Sequence, residues 1–267
     1  CRKSKSRRAA PGESPARAVA GFACLWARTA LAWGMDGLLD YVLPRHCLVC
    51  GRFAGAQNLC APCAAELPRA GDACRRCALP LPGNPDATCG ACLSAPPPWN
   101  RAVTAFAYRY PVRQLVQRFK FNRSLASGEV LAVELSRRLR RSGQHADAIV
   151  PVPLHAWRFF TRGYNQADLL ARRIGRDLGL RVDAGLLRRG RRTATQTGLD
   201  AVQRRRNVRG AFRVARRGKG GLPQHVALVH DVMTTGATLE ACTRALLRAG
   251  VRSVSLWVAA RAPPPAP

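Results

Sequence analysis

Two groups of residues carry chemistry by their types and spacing. The first is the run from Val226 to Thr238, VALVHDVMTTGAT, where an apolar strand of buried type meets Asp231. A loop of Thr234, Thr235, Gly236, Ala237 and Thr238 then opens a helix. Free N–H groups at a helix start, three hydroxyls and a glycine that lets backbone approach closely make a cradle suited to a phosphate. Asp231, at the expected strand tip, is placed to meet sugar hydroxyls or Mg2+. A capped helix after a core strand is the plainer reading, but it does not call for this density of phosphate-binding groups.

The second group is eight cysteines in four C-x-x-C pairs: Cys47/Cys50, Cys60/Cys63, Cys74/Cys77 and Cys89/Cys92. Two residues between thiols let a tight turn present both sulfurs to one metal, and two such turns complete the tetrahedral S4 site that Zn2+ prefers. The intervening segments are short and rich in Gly, Pro and Asn, so they cannot bury a core and metal must fold them. Two successive sites are the simplest arrangement, with a crossed one left open. A disulfide framework is disfavoured because nothing firmly marks secretion, and a catalytic redox pair because such motifs come singly within a βαβ pattern. Cys1, Cys24 and Cys242 read as ordinary thiols, and His46, beside Cys47, finds no vacancy among eight thiol ligands.

The chain that must position these groups has 267 residues and 47% hydrophobic residues, which excludes wholesale disorder. Its 44 Lys and Arg against 15 Asp and Glu give a net charge of +29, which points to a phosphate-bearing partner. Arginines outnumber lysines 40 to 4 in an Ala-, Gly- and Pro-rich chain, so part of the excess reflects high-GC coding. The balance is +5 over residues 1–46, +1 over 47–98 and +23 over 99–267, so the basic surface belongs to the last two-thirds. The apolar stretch from Ala18 to Met35, broken by Arg28, is too short to span a membrane. A basic start followed by an amphipathic helix is preferred over a signal peptide, and the thiols favour a reducing, cytoplasmic setting.

Ser94 to Pro98 (SAPPP) forms a stiff boundary. Strands are expected at 103–108, 148–153, 180–187, 211–214, 226–230 and 254–258, with helices at 112–121, 127–141, 166–178 and 237–249. That alternation gives a parallel sheet with helices on both faces. His145, His155 and His225 fall in loops, and Trp99, Trp157 and Trp257 read as packing residues first, with base stacking open to Trp157 alone.

The strand–acid–loop segment resembles the diphosphoribosyl-binding motif of type I phosphoribosyltransferases. The chain as a whole is similar to the ComF/GntX family, in which a zinc ribbon precedes such a domain. The likeness runs from about Leu38 to about Arg261. It takes in the cysteine pairs, the Pro97-Pro98-Trp99 junction, and Val150-Pro151-Val152-Pro153 followed by Arg162-Gly163-Tyr164-Asn165-Gln166. It continues through Arg191-x-Thr193-x-x-Gln196, Arg204-x-x-Asn207 and Gly210-Ala211-Phe212.

The resemblance implies an α/β fold with an extension over residues 1–37, a double zinc ribbon over 38–95 and a phosphoribosyltransferase-like parallel sheet with flanking helices over 99–261. It implies phosphoribosyl pyrophosphate or a related nucleotide as ligand, with Mg2+, and structural Zn2+ on the eight cysteines. Arg158, Arg162, Asn165 and Gln166 would face the pyrophosphate, and residues 188–209, with eight Arg against Asp200, would form a mobile cover. Asp231 and Arg191 would be catalytic, with Gln196 among the substrate contacts. A role in natural transformation follows, with single-stranded DNA and DNA-uptake proteins as partners; an active phosphoribosyltransferase of nucleotide metabolism is the competing implication. One position departs from the pattern: His230 stands where the family has the first of two adjacent acids, which halves the carboxylate complement.

Overall fold

The structure is a computed structural model, described here for residues 45–54, 58–83, 87–154, 156–190, 210–215 and 221–263. The extension before residue 45 lies outside this range, as do His155, Arg191, Gln196 and the side chains of residues 156–158, Trp157 and Arg158 among them. Two short helices, α1 (Ala61–Ala65) and α2 (Gly90–Ser94), belong to the cysteine-rich region. Beyond them come β1 (Arg101–Ala107), α3 (Val112–Phe121), α4 (Leu125–Arg141), β2 (Ala148–Pro151), α5 (Ala156–Arg162) and α6 (Gln166–Leu178). The chain continues through β3 (Leu187–Arg189), β4 (Phe212–Val214), β5 (His225–Met233), α7 (Ala237–Arg248) and β6 (Ser253–Arg261).

Alternation along β5 shows how the layers assemble. Val226 and Leu228 pack with one cluster, Ala227 and Val229 with the other, so every second side chain enters an opposite face and both are buried. The sheet runs β1–β6–β5–β2 with all pairs parallel, as the apolar runs on these strands require. Helices α3, α4 and α6 cover one face through Leu115, Leu131, Leu135, Leu170 and Ile174. The other face takes α7, through Leu239, Cys242 and Leu246, and the antiparallel pair β3–β4, through Leu187 and Phe212. Trp257 is fully buried at the centre, as a packing residue.

The cysteine-rich region straddles the β1 edge. Its first group, with Cys47 and Leu59, joins the α3/α4 side, and its second, with Cys74, Cys77 and Cys92, joins the α7 side. Between them residues 68–75 run along β1: Ala107 N donates to Pro68 O at 2.8 Å, Ala70 N to Ala105 O at 2.8 Å and Ala102 N to Arg75 O at 2.9 Å. An edge that would otherwise recruit another strand is thereby covered.

Several elements differ from the sequence reading. The stretch 180–187 is not one strand: Val182 bridges Ile149 singly, and Leu187 instead begins β3 against Val214. Asp183, Ala184 and Gly185 interrupt the apolar run between them. The segment after Pro153, expected as a loop, forms α5, whose Phe159 and Phe160 face outward, so no amphipathic period announced it. β5 and β6 each extend about three residues past their expected ends, because His230–Met233 pairs with Val258–Arg261.

Close packing between α6 and the β2 edge depends on Gly175. A Cβ there would lie 2.6 Å from Val182 Cγ2 and 2.9 Å from the Leu180 carbonyl oxygen. Helix propensity favours alanine over glycine by about 1 kcal/mol, whereas overpacking costs about 1–3 kcal/mol. Gly175→Ala is therefore expected to lower unfolding stability by about 1 kcal/mol in urea titration; a gain in stability would show that the 180–182 segment yields freely.

Candidate functional site

The carboxyl ends of β2 and β5 open into a cleft of about 800 Å3. Such an end is where parallel α/β sheets leave room for ligands. Ten residues singled out from the sequence line it together: Arg162, Asn165, Gln166, His230, Asp231, Thr234, Thr235, Gly236, Ala237 and Thr238. Arg191 and Gln196 lie outside the described residues, and of the basic 188–209 stretch Arg189 lines the cleft, its guanidinium 5.3 Å from the Phe212 ring centre.

The loop between β5 and α7 has an open helix start. Gly236 is the N-cap in the left-handed region, φ +81°, and no side chain caps the helix from there. Thr235 Oγ1 accepts only a long bond, 3.5 Å, from Ala237 N. The head of a twelve-residue helix thus faces the cleft, with the helix dipole adding positive potential. Glycine is required at 236 twice over, since a Cβ there would also lie 3.1 Å from Met233 Cε and 3.3 Å from Trp99 Cη2.

Asp231 lies within β5 and is only 4% exposed. Its Oδ2 meets Lys120 Nζ, from α3, at 2.8 Å; its Oδ1 lies 2.7 Å from His230 Nδ1 and accepts from Val232 N at 2.7 Å. Burial alone would raise this carboxyl's pKa. The adjacent Lys120 ammonium, with His230, more than offsets that and holds it well below the usual carboxylate range. Lys120 is a site residue that sequence reasoning missed. It stands more than a hundred residues from Asp231, and its only signal was to be one of four lysines among 40 arginines. Tyr108, Gln117 and Arg123 line the cleft without having been marked.

The Arg162–Gln166 segment divides its work. Tyr164 Oη donates to the Phe119 carbonyl, tying the start of α6 to α3. Asn165 caps α6 by accepting from Ala167 N at 3.0 Å and donates to Val152 O at 3.1 Å, so both of its polar atoms hold the frame. Arg162 lies 5.2 Å from the Phe121 ring centre and donates to Gln166 Oε1 at 3.3 Å. Gln166, 3% exposed, keeps its Nε2 without a partner among the described residues at the cleft wall. A buried amide donor left in this way calls for an acceptor from a ligand or water.

The eight paired cysteines gather successively, Cys47/Cys50/Cys60/Cys63 and Cys74/Cys77/Cys89/Cys92, each set with its sulfurs within 4.8 Å of one another. Sγ separations of 3.6 Å (Cys50–Cys60) and 3.7 Å (Cys77–Cys89) match the ~3.8 Å edge of a tetrahedron with 2.3 Å zinc–sulfur bonds. Burial opposes ionisation of Cys47, yet backbone N–H groups of Cys50, Cys60 and Val49 outweigh it and bring the thiol down to about 6. Both clusters fit structural Zn2+. Cys242, fully buried in α7, is a packing thiol. Among the described residues no helix is long and apolar enough to cross a membrane.

Residues 38–93 match the double zinc ribbon domain model. The DNA utilization protein YhgH of Salmonella typhi is 38% identical over 76% of this chain and 90% of its own. Its counterpart in Escherichia coli K12 is 36% identical over 78% and 92%. Competence protein F of Haemophilus influenzae is 40% identical over 65% of this chain and 78% of its own. Among solved structures, adenine phosphoribosyltransferase of Leishmania tarentolae overlaps 61% of this chain and 76% of its own, at 15% identity and a TM-score of 0.34.

The ion pair yields a prediction with a sign. Removing one partner of a buried pair costs about 3–5 kcal/mol, so Lys120→Met is expected to destabilise the fold strongly. Without Lys120, burial is opposed by His230 with no ammonium beside it, and the Asp231 carboxyl rises from its depressed position. The deficit relative to the unaltered chain is therefore larger at about pH 8 than at about pH 5.5, where the variant's carboxyl takes up a proton. Denaturant titrations at both pH values check this; a deficit independent of pH would show that Asp231 is not the group left uncompensated.

Proposed function

The chain belongs to the ComF/GntX family, that of the DNA-utilization and competence proteins it matches, and from this we propose that its cleft binds phosphoribosyl pyrophosphate or a related nucleotide in support of DNA uptake. One observation carries the reading. A helix start headed by Gly236, the Gln166 Nε2, buried and without a partner among the described residues, and the guanidinium groups of Arg162 and Arg189 converge on one cleft that also holds Thr234, Thr235 and Thr238. In this reading the 5′-phosphate lies on the amides and hydroxyls of 234–238. The pyrophosphate extends toward Arg162 and the Gln166 Nε2, with Arg189 at the cleft wall.

The residues do not build a strong protein-held Mg2+ site at β5. His230 removes one carboxylate, and the remaining one, Asp231, already neutralises Lys120. Mg2+ would arrive on the pyrophosphate, whose oxygens are its natural ligands. In transfer chemistry the protein's part is to stabilise the departing pyrophosphate electrostatically. This site retains cations for that, but has one carboxylate where the family's motif has two. Binding is therefore the primary function proposed, and turnover the secondary one.

Calorimetry with phosphoribosyl pyrophosphate and Mg2+ tests the reading. The unaltered chain should bind, and Gly236→Val, which brings a side chain into a φ +81° position beside Met233 and Trp99, should abolish the heat while zinc content is retained. No heat from the unaltered chain would refute it.

A DNA-binding role is favoured by a separate feature at the rim. Phe160 is 81% exposed, and Phe159 and Phe121 also face solvent, beside Arg162 and Arg123 of the cleft wall. Exposed rings interleaved with cations suit single-stranded DNA, because stacking contributes about 1–3 kcal/mol per base regardless of sequence. Phe160→Ala is expected to weaken oligonucleotide binding about ten-fold, on a baseline affinity that falls steeply with salt as counterions are released. Salt-insensitive binding, or a variant that binds equally well, would remove this surface from the account.

A further inference from the structure

The second cysteine cluster and the phosphate-type loop are joined by two side chains that neither site needs for itself. Arg261, the last residue of β6, is 8% exposed and spends its guanidinium on four carbonyls. Nε donates to Cys77 O at 2.9 Å, and Nη1 donates to Met233 O at 2.9 Å, Thr234 O at 2.5 Å and Ala262 O at 2.6 Å. One end of this fork rests on a cysteine knuckle and the other on the residues that lead from β5 into the loop. Trp99 makes a parallel link. Its Nε1 donates to Arg76 O at 2.5 Å inside the same knuckle, while its ring edge lies against Gly236, the N-cap of α7.

The carbonyls of Arg76 and Cys77 face Trp99 and Arg261 only while the Cys74–Cys77 turn holds its shape. In a short, glycine- and proline-rich segment that shape depends on the metal. Among the described residues the first cluster has no comparable connection. It lies on the opposite face of the sheet and touches the ligand-bearing frame through Arg118, which donates to the Leu48 carbonyl.

We propose that Arg261 and Trp99 make the second zinc site a positioning element for the loop 233–238, so that loss of that one metal loosens the cleft while the sheet stays folded. A buried guanidinium over carbonyls is a costly feature unless all its bonds are made. Withdrawal of the knuckle carbonyls strands both Arg261 and Trp99, and the loop loses its support from below. Chelation that strips zinc from the thiolates would then lower ligand affinity at a site that contains no cysteine. Only the affinity part of the test below rests on the proposed ligand.

The test uses the full chain loaded with zinc, alongside Cys92→Ser, Cys63→Ser, Arg261→Met and Arg261→Lys, with zinc content measured for each. Hydrogen exchange over residues 231–241 is read without ligand, and phosphoribosyl pyrophosphate affinity by calorimetry. Cys92→Ser, with one equivalent of zinc, and Arg261→Met, with two, should each speed exchange over 231–241 about ten-fold and weaken the ligand by a similar factor. The pair combined should be no worse than the worse single change, since both cut one path. Arg261→Lys, which keeps the charge and part of the bonding, should fall between, and it stands in if Arg261→Met does not fold. Cys63→Ser should leave 231–241 within about two-fold of the unaltered chain. Unchanged exchange in Cys92→Ser, an equal effect from Cys63→Ser, or strictly additive effects would each overturn the proposal. If no chain binds the ligand but exchange changes as described, the ligand assignment fails and the link stands. If every chain binds equally, the link fails and the assignment stands.

Discussion

A full negative charge sits at the inner end of the cleft, on a central strand with almost no access to water. Burying an ionised carboxylate costs several kcal/mol unless a partner meets it, and that requirement shapes the neighbourhood of Asp231. Lys120 must reach it, so α3 must dock with its last turn over β5. The Tyr164–Phe119 tie and the ring contact between them, 5.6 Å between centres, hold that turn against the start of α6. Asn165 then fixes α6 to the end of β2. The same chain of contacts that satisfies one buried charge brings Arg162 and Gln166 opposite the α7 loop. Cleft and fold are one problem in this protein.

The cysteine-rich region answers a different constraint. Its loops are too short and too rich in glycine and proline to bury a core, yet it covers an exposed strand edge and contributes buried residues on both faces of the sheet. Its two cysteine clusters fit structural Zn2+, which would supply the order its own side chains cannot. The near-neutral charge of residues 47–98 fits a scaffold better than a nucleic-acid grip, and the basic balance sits in the domain that carries the cleft.

The major helices and central strands were legible because their apolar periods are strong: α3 and α6 begin and end where the pattern places them. The two metal clusters were legible because C-x-x-C spacing encodes a local turn, and the remaining ambiguity, successive or crossed, needed three-dimensional placement. The cleft was half legible. The TTGAT loop and the Arg162–Gln166 run are local in sequence, and their chemistry is visible from residue types. What those side chains touch is not, so Asn165 and Tyr164 turn out to be spent on the frame, and Asp231 on an ion pair. Lys120, Arg261 and Trp99 escaped functional notice for one reason. Each acts through a contact between distant segments, with partners 111, 184 and 23 residues away, and no pattern within a window records that.

The departure at His230 gains a physical meaning from this arrangement. With His230 in place of one acid and the remaining carboxylate, Asp231, neutralised by Lys120, the site offers little free negative charge to a metal, which suits holding a polyphosphate more than organising a metal for repeated turnover. A crystal structure of the zinc-loaded chain with phosphoribosyl pyrophosphate and Mg2+ tests that claim most directly. The account predicts the 5′-phosphate within hydrogen-bond distance of the amides at 235–238, the pyrophosphate beside Arg162 and Gln166 Nε2, and Mg2+ on ligand oxygens rather than on Asp231. Ligand found instead in the 380 Å3 basic pocket lined by Arg75, Arg101, Arg138 and Arg141, with the α7 loop vacant, would contradict it.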